Sequence, residues 1–254
     1  MLANGVRVLA LLLLSSGTAA AVESAIQVAV FQGEGVGKSA ERLIASLSDV
    51  AGEDYRVSRI TVAQVRASKL AGIDVLVHPG GSGSKQGKAL GEAGRNAVRD
   101  FVEHGGGYLG VCAGAYLATN EYPWSLHLID AKVVDRRHWA RGKGPVTLQL
   151  SPRAREFFRH SDQEMTIHYG QGPLLARREW DDVKVPDYES LAIYASEIAE
   201  KDAPRGIMVG TSAAVRCKFG RGRVLCFSPH PELTEGLGYM IPTAVDWLAA
   251  DDDK

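Results

Sequence analysis

The sequence predicts an α/β fold, with a mostly parallel sheet, helices on both faces and a sharp strand-to-helix turn. In the first half, short apolar runs alternate with stretches of helical periodicity, which is typical of parallel sheets. One of these runs ends at a cysteine wedged among small residues. In the second half, the strand-like runs follow one another closely, which favours antiparallel pairing. No linker, repeat or biased segment divides residues 22–254, so we expect a single domain.

The first half supplies the parallel part of the prediction. Apolar or alternating runs predict strands, and amphipathic spacing predicts helices between them. The strands are expected at 26–31, 55–60, 73–77 and 108–111, and the helices at 39–49 and 90–103.

The second half changes character after the predicted turn. It is expected to contribute short, mostly antiparallel strands and a closing helix. The strands fall at 131–134, 146–150, 165–169, 191–194, 213–218 and 223–227, and the helix at 238–249.

The segment Gly110-Val111-Cys112-Ala113-Gly114 has the pattern of a nucleophile elbow. Such a turn holds its central residue in strained backbone geometry, which tolerates only small neighbours. The following helix would direct its first N–H groups towards the sulfur and favour the thiolate. Cys112 is therefore the candidate nucleophile, although a buried cysteine at a strand end is more often an inert small side chain.

A candidate base follows the last predicted strand, in Ser228-Pro229-His230-Pro231-Glu232. His230 could accept the thiol proton, and Glu232 could hold the imidazole in the required tautomer. Such triads assemble in space, so the distance in sequence from Cys112 is no objection. The two segments together are far more specific than either alone.

These segments resemble the class I glutamine amidotransferase-like superfamily. The stretch Gly106–Tyr116, the loop Pro79-Gly80-Gly81 and the turn Tyr169-Gly170-Gln171-Gly172-Pro173 resemble its group related to the N-terminal domain of biotin–protein ligases. The resemblance implies a flavodoxin-like fold and a triad of Cys112, His230 and Glu232. It also implies substrate contacts from Tyr116, Tyr169 and Gly172. No ligase domain follows here, so we do not expect biotin transfer.

The glycines at 80 and 81 are candidates for an oxyanion hole. Without side chains, they let backbone N–H groups approach a reacting carbonyl, and the N–H of Ala113 would complete the site. The resemblance implies the same role for this loop. The alternative is that both glycines only turn the chain.

The N-terminus predicts export. Arg7, an apolar run and Ala19-Ala20-Ala21 form a secretory signal pattern, with cleavage expected after Ala21. The mature protein is then expected in the periplasm without a membrane anchor. The alternative is a misassigned start on a cytosolic protein.

An exported protein works in an oxidising compartment, where free thiols tend to form disulfides. The chain has three cysteines, so at least one has no internal partner. A register that pairs Phe219 with Val224 would set Cys217 and Cys226 opposite each other. A disulfide between them is therefore one possibility, and two separately buried thiols are the favoured one. In both cases Cys112 is the odd thiol.

Composition favours a small ligand. The 254 residues carry a formal net charge of −1, which gives no electrostatic footprint for nucleic acid. We expect no cofactor, and no spacing suggests a metal site. The oligomeric state leaves no signature in the sequence.

Three other features of the sequence could belong to a ligand site. The segment 33–39 resembles a phosphate-binding loop but is one residue short, because Gln32 stands where a glycine is needed. It remains a possible wall of the ligand crevice. His168 could face that crevice, although a half-exposed strand residue is the more ordinary interpretation. The basic run 136–141 is interpreted as a solvated loop before an anion-binding lid.

The function predicted from these observations is an exported cysteine hydrolase that acts on a small amide, γ-glutamyl or peptide-like substrate through an acyl-enzyme. One alternative is a binding protein that keeps the fold without turnover. A redox-active thiol is another.

Overall fold

The computed structural model describes residues 25–48, 54–179 and 184–250. The predicted signal segment and cleavage site lie outside these residues. Within the described residues, eleven strands form one mixed sheet, with the order β2-β1-β3-β4-β11-β10-β9-β6-β7 along its main path. These strands span Ile26–Gln32 (β1), Tyr55–Thr61 (β2), Val75–His78 (β3), Gly107–Val111 (β4), Ala131–Val133 (β5), Gly144–Leu150 (β6), Glu164–Tyr169 (β7), Leu175–Arg177 (β8), Glu189–Tyr194 (β9), Ser212–Phe219 (β10) and Gly222–Phe227 (β11).

Five neighbouring strands, β2, β1, β3, β4 and β11, are parallel. Their order is that of a flavodoxin-like sheet, so the predicted fold class is confirmed. From β11 onward the pairs with β10, β9, β6 and β7 are antiparallel. The short strands β5 and β8 pair with each other, and β8 also pairs with β10.

The helices pack on both faces of this sheet and bury two apolar clusters, one on each face. They span Ser39–Ser48 (α1), Val62–Arg66 (α2), Gly83–Glu103 (α3), Ala113–Ala118 (α4), Pro152–Phe157 (α5) and Met240–Ala249 (α6), with a 3-10 turn at Pro231–Leu233. No helix in the described ranges combines the length and apolarity needed to cross a membrane.

The helix predicted at 90–103 begins earlier, at Gly83, and bends at Gly91, where φ is +61°. Its first two turns carry no apolar stripe because their buried face consists of Gly83, Gln86 and Gly87. A Cβ at Gly87 would lie 2.3 Å from the carbonyl oxygen of Trp124, so close backbone packing replaces apolar side chains here. Hydrophobic periodicity therefore could not reveal this start.

The register of β10 and β11 differs from the one that would oppose the two cysteines. Phe219 pairs with Gly222, so Cys217 faces Val224 and Cys226 faces Val215. Both thiols lie on one face but are offset along the strands, and all three cysteines are free. The possible disulfide is therefore absent, and the favoured alternative of two separately buried thiols is found.

Candidate active site

Cys112 lies between β4 and α4 with φ +51° and ψ −95°, a conformation that non-glycine residues rarely adopt. Its N–H donates to the carbonyl oxygen of Phe227 at 2.8 Å, which fixes the turn to the end of β11. The small neighbours are required by packing. A Cβ at Gly110 would lie 2.7 Å from the backbone of Gly114, and one at Gly114 would lie 2.1 Å from the carbonyl oxygen of His78.

His230 and Glu232 follow β11, and this places them beside Cys112 at the carboxyl edge of the parallel strands. His230 Nδ1 lies 2.7 Å from Glu232 Oε1, and the side chain of Glu232 is fully buried. The imidazole occupies a slot between two glycines. A Cβ at Gly80 would lie 2.7 Å from His230 Cε1, and one at Gly170 would lie 2.5 Å from Nε2.

The surroundings of His230 favour the protonated form of its imidazole ring. Burial alone would lower the pKa of His230, but the hydrogen bonds and charges of Cys112 and Glu232 outweigh burial and raise it to about 10. Since Nδ1 faces Glu232, the remaining nitrogen, Nε2, is the one available to Cys112. The sulfur also lies 3.8 Å from the carbonyl oxygen of Gly170. The arrangement can therefore hold a proton between a thiol and an imidazole.

The three predicted oxyanion donors have different surroundings. Ala113 is the first residue of α4, so its N–H has no acceptor within the helix. Gly81 lines the crevice with φ +139°, and a Cβ there would lie 2.1 Å from Gly35 O, so only glycine fits. Gly80 is buried against His230, and its carbonyl oxygen accepts from Gly37 N at 2.8 Å.

A buried polar pair supports this loop from beneath. His78 Nδ1 lies 2.9 Å from Gln86 Oε1, and Gln86 Nε2 donates to the carbonyl oxygen of Pro79 at 3.0 Å. Burial lowers the pKa of His78 to about 4, which keeps the ring neutral at physiological pH. This pair could not be predicted, because neither residue belongs to a recognisable sequence motif.

The crevice above Cys112 has a volume of about 560 Å³, which suits a small molecule. Of the three predicted substrate contacts, only Tyr116 lines it. Tyr169 is completely buried, and its hydroxyl donates to the carbonyl oxygen of Gly172 at 3.0 Å. Gly172 packs against β11, where a Cβ would lie 1.9 Å from Ser228 O. These two residues shape the turn and do not line the crevice, and their direct contact with a ligand stays a prediction.

The wall of the crevice combines residues that the sequence indicated with residues that it did not. It includes Lys38 and Ser39, from the segment predicted as a possible wall, and His168, whose exposure is intermediate. The backbone N–H of His230 donates to the carbonyl oxygen of His168 at 2.9 Å, which ties these strand ends together.

Other parts of the wall differ from the prediction. Gly170 and Gln171 come from the turn that carries the family resemblance. Arg136 and Trp139 come from the basic run interpreted as a solvated loop, and the structure instead places both at the crevice. The remaining residues carry no sequence signal for this position. They are Ser82, Gly83, Ser84, Tyr122, Trp124, Lys143 and Leu233.

The part of the chain that the structure describes contains no cluster of three or more histidine, cysteine, aspartate or glutamate side chains suited to a metal ion. The polar groups around the sulfur include the His230 imidazole, with the Glu232 carboxylate behind it, and the carbonyl oxygen of Gly170. This set of groups is suited to acid–base and nucleophilic chemistry.

The fold and this constellation are consistent with the class I glutamine amidotransferase-like superfamily. Residues 26–144 match the family described as biotin-protein ligase, N terminal, so the predicted resemblance to that group is confirmed. A biotin–protein ligase of Schizosaccharomyces pombe is 26% identical over 63% of this chain. The matched region covers 26% of that relative's length, so the chain spans about a quarter of the relative.

Solved structures show the same fold at low sequence identity. A protein described as ThuA-like from Bacteroides uniformis superposes with a TM-score of 0.59 at 14% identity, covering 93% of this chain and 98% of its own. A ThuA-like protein from Parabacteroides merdae gives 0.58 at 11% identity, with 89% and 90% covered. A β-galactosidase from Bacillus circulans gives 0.52 at 13% identity and covers 89% of this chain and 31% of its own.

Proposed function

We propose that this protein is a cysteine-dependent hydrolase of a small amide, γ-glutamyl or peptide-like substrate. The observation that supports this most strongly is the strained Cys112 at the head of α4, beside a His230 that is bonded to the buried Glu232. Strained backbone at a crevice is often retained for function. The raised pKa of His230 supports an imidazolium that is ready to protonate a leaving group.

In the proposed reaction, His230 accepts the proton of the Cys112 thiol, and the sulfur attacks the substrate carbonyl carbon and forms a tetrahedral oxyanion. The N–H groups of Ala113 and Gly81 are the proposed donors to that oxygen. As the C–N bond breaks, His230 gives its proton to the departing amine and leaves a thioester on Cys112. Water then attacks the thioester while His230 accepts its proton, which releases the acid and restores the thiol.

An acylation experiment tests this proposal. Purified protein is mixed with p-nitrophenyl acetate, and the release of nitrophenolate is followed together with the mass of the Cys112 peptide. We expect a burst close to one equivalent, an acetyl group on Cys112, and loss of both in Cys112→Ser. An absent burst with an unmodified Cys112 contradicts the hydrolase and favours a binding protein. Stable sulfenic acid at Cys112 under mild peroxide, without acylation, favours a redox thiol.

Export is the second part of the proposal, and its support is the signal pattern ending at Ala21. Expression in a bacterial host with separation of the periplasm tests it. We expect the periplasmic protein to begin at Val22. A full-length cytosolic protein contradicts export, whatever its activity.

A further inference from the structure

The described residues that line the Cys112 crevice include Lys38, Arg136 and Lys143, but no aspartate or glutamate. Arg136 is paired with Glu121 at 2.8 Å. Lys38 and Lys143 are exposed, and neither forms an ion pair with a residue in the described ranges. Two uncompensated cations therefore face a crevice that offers no negative side chain.

Three carboxylates near the crevice are engaged elsewhere. Glu232 is fully buried behind His230. Glu121 is largely buried between Arg136 and Arg178, and Asp135 pairs with Arg141 and His138. A free α-ammonium group in the crevice would lose water without meeting a carboxylate, which is unfavourable. The crevice therefore disfavours a zwitterionic amino acid such as glutamine, and among the proposed substrates it disfavours γ-glutamyl compounds that keep a free α-ammonium.

One wall of the crevice is aromatic. The rings of Tyr122 and Trp124 stack with centroids 4.4 Å apart and planes inclined by 9°. Trp139 is 55% exposed at the same crevice. A large, exposed indole at the edge of a cavity is unusual on a surface with no partner, and it offers a flat apolar face to a planar group.

We propose that the Cys112 site accepts a carboxylate-bearing amide that has a planar or aromatic group and no free ammonium, the class that includes N-acylated amino-acid derivatives. The carboxylate would lie near Lys38 and Lys143, and the planar group against Tyr122, Trp124 or Trp139. As a statement about the substrate, this inference rests on the proposed hydrolase function. The preference of the crevice for anions can be measured without turnover.

The first test compares two alkylating reagents of similar size and different charge, iodoacetate and iodoacetamide, at low ionic strength. We expect the rate with iodoacetate divided by the rate with iodoacetamide to be about tenfold higher at Cys112 than for N-acetylcysteine. This ratio should fall with added salt. The variant Lys38→Gln/Lys143→Gln should bring the ratio close to the reference, while Lys38→Arg/Lys143→Arg should retain it. Lys69→Gln, an exposed change outside the crevice, serves as the matched control.

The second test uses the tryptophans of the crevice as reporters in Cys112→Ser. Hippurate, its neutral methyl ester and zwitterionic phenylalanine are titrated separately while tryptophan fluorescence is recorded. We expect hippurate to bind at least about fivefold more tightly than the other two, and the Lys38→Gln/Lys143→Gln change to abolish the difference.

The outcomes separate this inference from the hydrolase proposal. Suppose that the wild type prefers anions but its rate with iodoacetamide is unchanged in His230→Ala. This result supports the anion site and contradicts the hydrolase. Equal ratios for Cys112 and N-acetylcysteine, or equal affinity for hippurate and its methyl ester, overturn the inference even if acylation succeeds. If Cys112 reacts with neither reagent, the fluorescence titration alone decides.

Discussion

His230 Nδ1 lies 2.7 Å from Oε1 of Glu232, a residue only two positions later in the chain. The 3-10 turn at Pro231–Leu233 makes this short link possible, because it directs Glu232 back beneath the imidazole. The carboxylate can therefore orient the ring and stabilise its protonated form without help from a distant segment.

The variant Glu232→Gln tests this relationship through stability. The pKa of His230 is raised from 6.5 to about 10, so its proton stabilises the fold fully below pH 6.5, and that stabilisation is lost as the pH rises towards 10. In Glu232→Gln we expect the free energy of unfolding to fall less between pH 6.5 and 10 than in wild type. Urea unfolding at several pH values measures it, and Glu235→Gln, at an exposed neighbouring carboxylate, should match wild type.

Substitutions in the imidazole slot should reduce reactivity more than stability. Gly80→Ala and Gly170→Ala would each place a methyl group within 2.7 Å of the His230 ring. We expect alkylation of Cys112 to slow by about tenfold, because the ring must move away from the sulfur. The control is Gly238→Ala, whose Cβ would meet only Ser46 at 3.2 Å or beyond. Unchanged alkylation in both slot variants would show that His230 does not act on Cys112.

The elbow itself should be intolerant of a single methyl group. In Gly114→Ala the new Cβ would lie 2.1 Å from the backbone oxygen of His78, which cannot rotate away. We expect a loss of about 3 kcal/mol in the free energy of unfolding, as for a severe overpacking change. Chemical denaturation measures this, again with Gly238→Ala as control. A loss below about 0.5 kcal/mol, within the range of ordinary surface changes, contradicts the packing described here.

The buried His78 predicts sensitivity to acid. Its pKa is about 4 in the folded protein because burial disfavours the charged ring, against 6.5 for an unburied histidine. Its contribution to stability is thus present above pH 6.5 and lost as the pH falls towards 4, by about 3 kcal/mol in total. In His78→Phe, which can still stack between Phe31 and Tyr108, this part of the pH dependence should vanish. The free energy of unfolding is measured against pH in both proteins. If it falls equally between pH 6.5 and 4 in wild type and His78→Phe, His78 does not titrate in this way.

The cysteines give a chemical prediction. Burial raises the pKa of Cys217 to about 12 and that of Cys226 well above its ordinary value, so neither forms a thiolate readily. We expect native protein to be alkylated at Cys112 alone, and unfolded protein at all three cysteines without prior reduction. A peptide pair linked through Cys217 and Cys226 in a non-reducing digest would contradict the register of β10 and β11.

The positions of Cys112, His230 and Glu232 could be predicted from the sequence, because each follows from a short local pattern. An apolar run followed by small residues marked Cys112, and a strand end with His230 and Glu232 marked the partners. The strand order then brings the two segments together, since β4 and β11 are neighbours in the sheet. Local patterns and one topological rule were enough for these three residues.

The rest of the site depends on loop packing that has no periodic signal. Trp139 and Lys143 enter the crevice because the loop between β5 and β6 covers it, and the basic run 136–141 does not indicate which of its side chains reach the crevice. Tyr169 and Gly172 do not line the crevice, because Tyr169 is buried and Gly172 packs against Ser228. The β10–β11 register differed because the turn after Phe219 is shorter than the opposed-cysteine alignment requires.

The most direct measurement of the central claim is the pH dependence of Cys112 alkylation by iodoacetamide, read by mass spectrometry in wild type, His230→Ala and Cys112→Ser. We predict that Cys112 in wild type stays reactive at pH values where N-acetylcysteine has become inert, and that His230→Ala abolishes this advantage. A profile for Cys112 that follows N-acetylcysteine and is the same with and without His230 would contradict the account of an activated thiol.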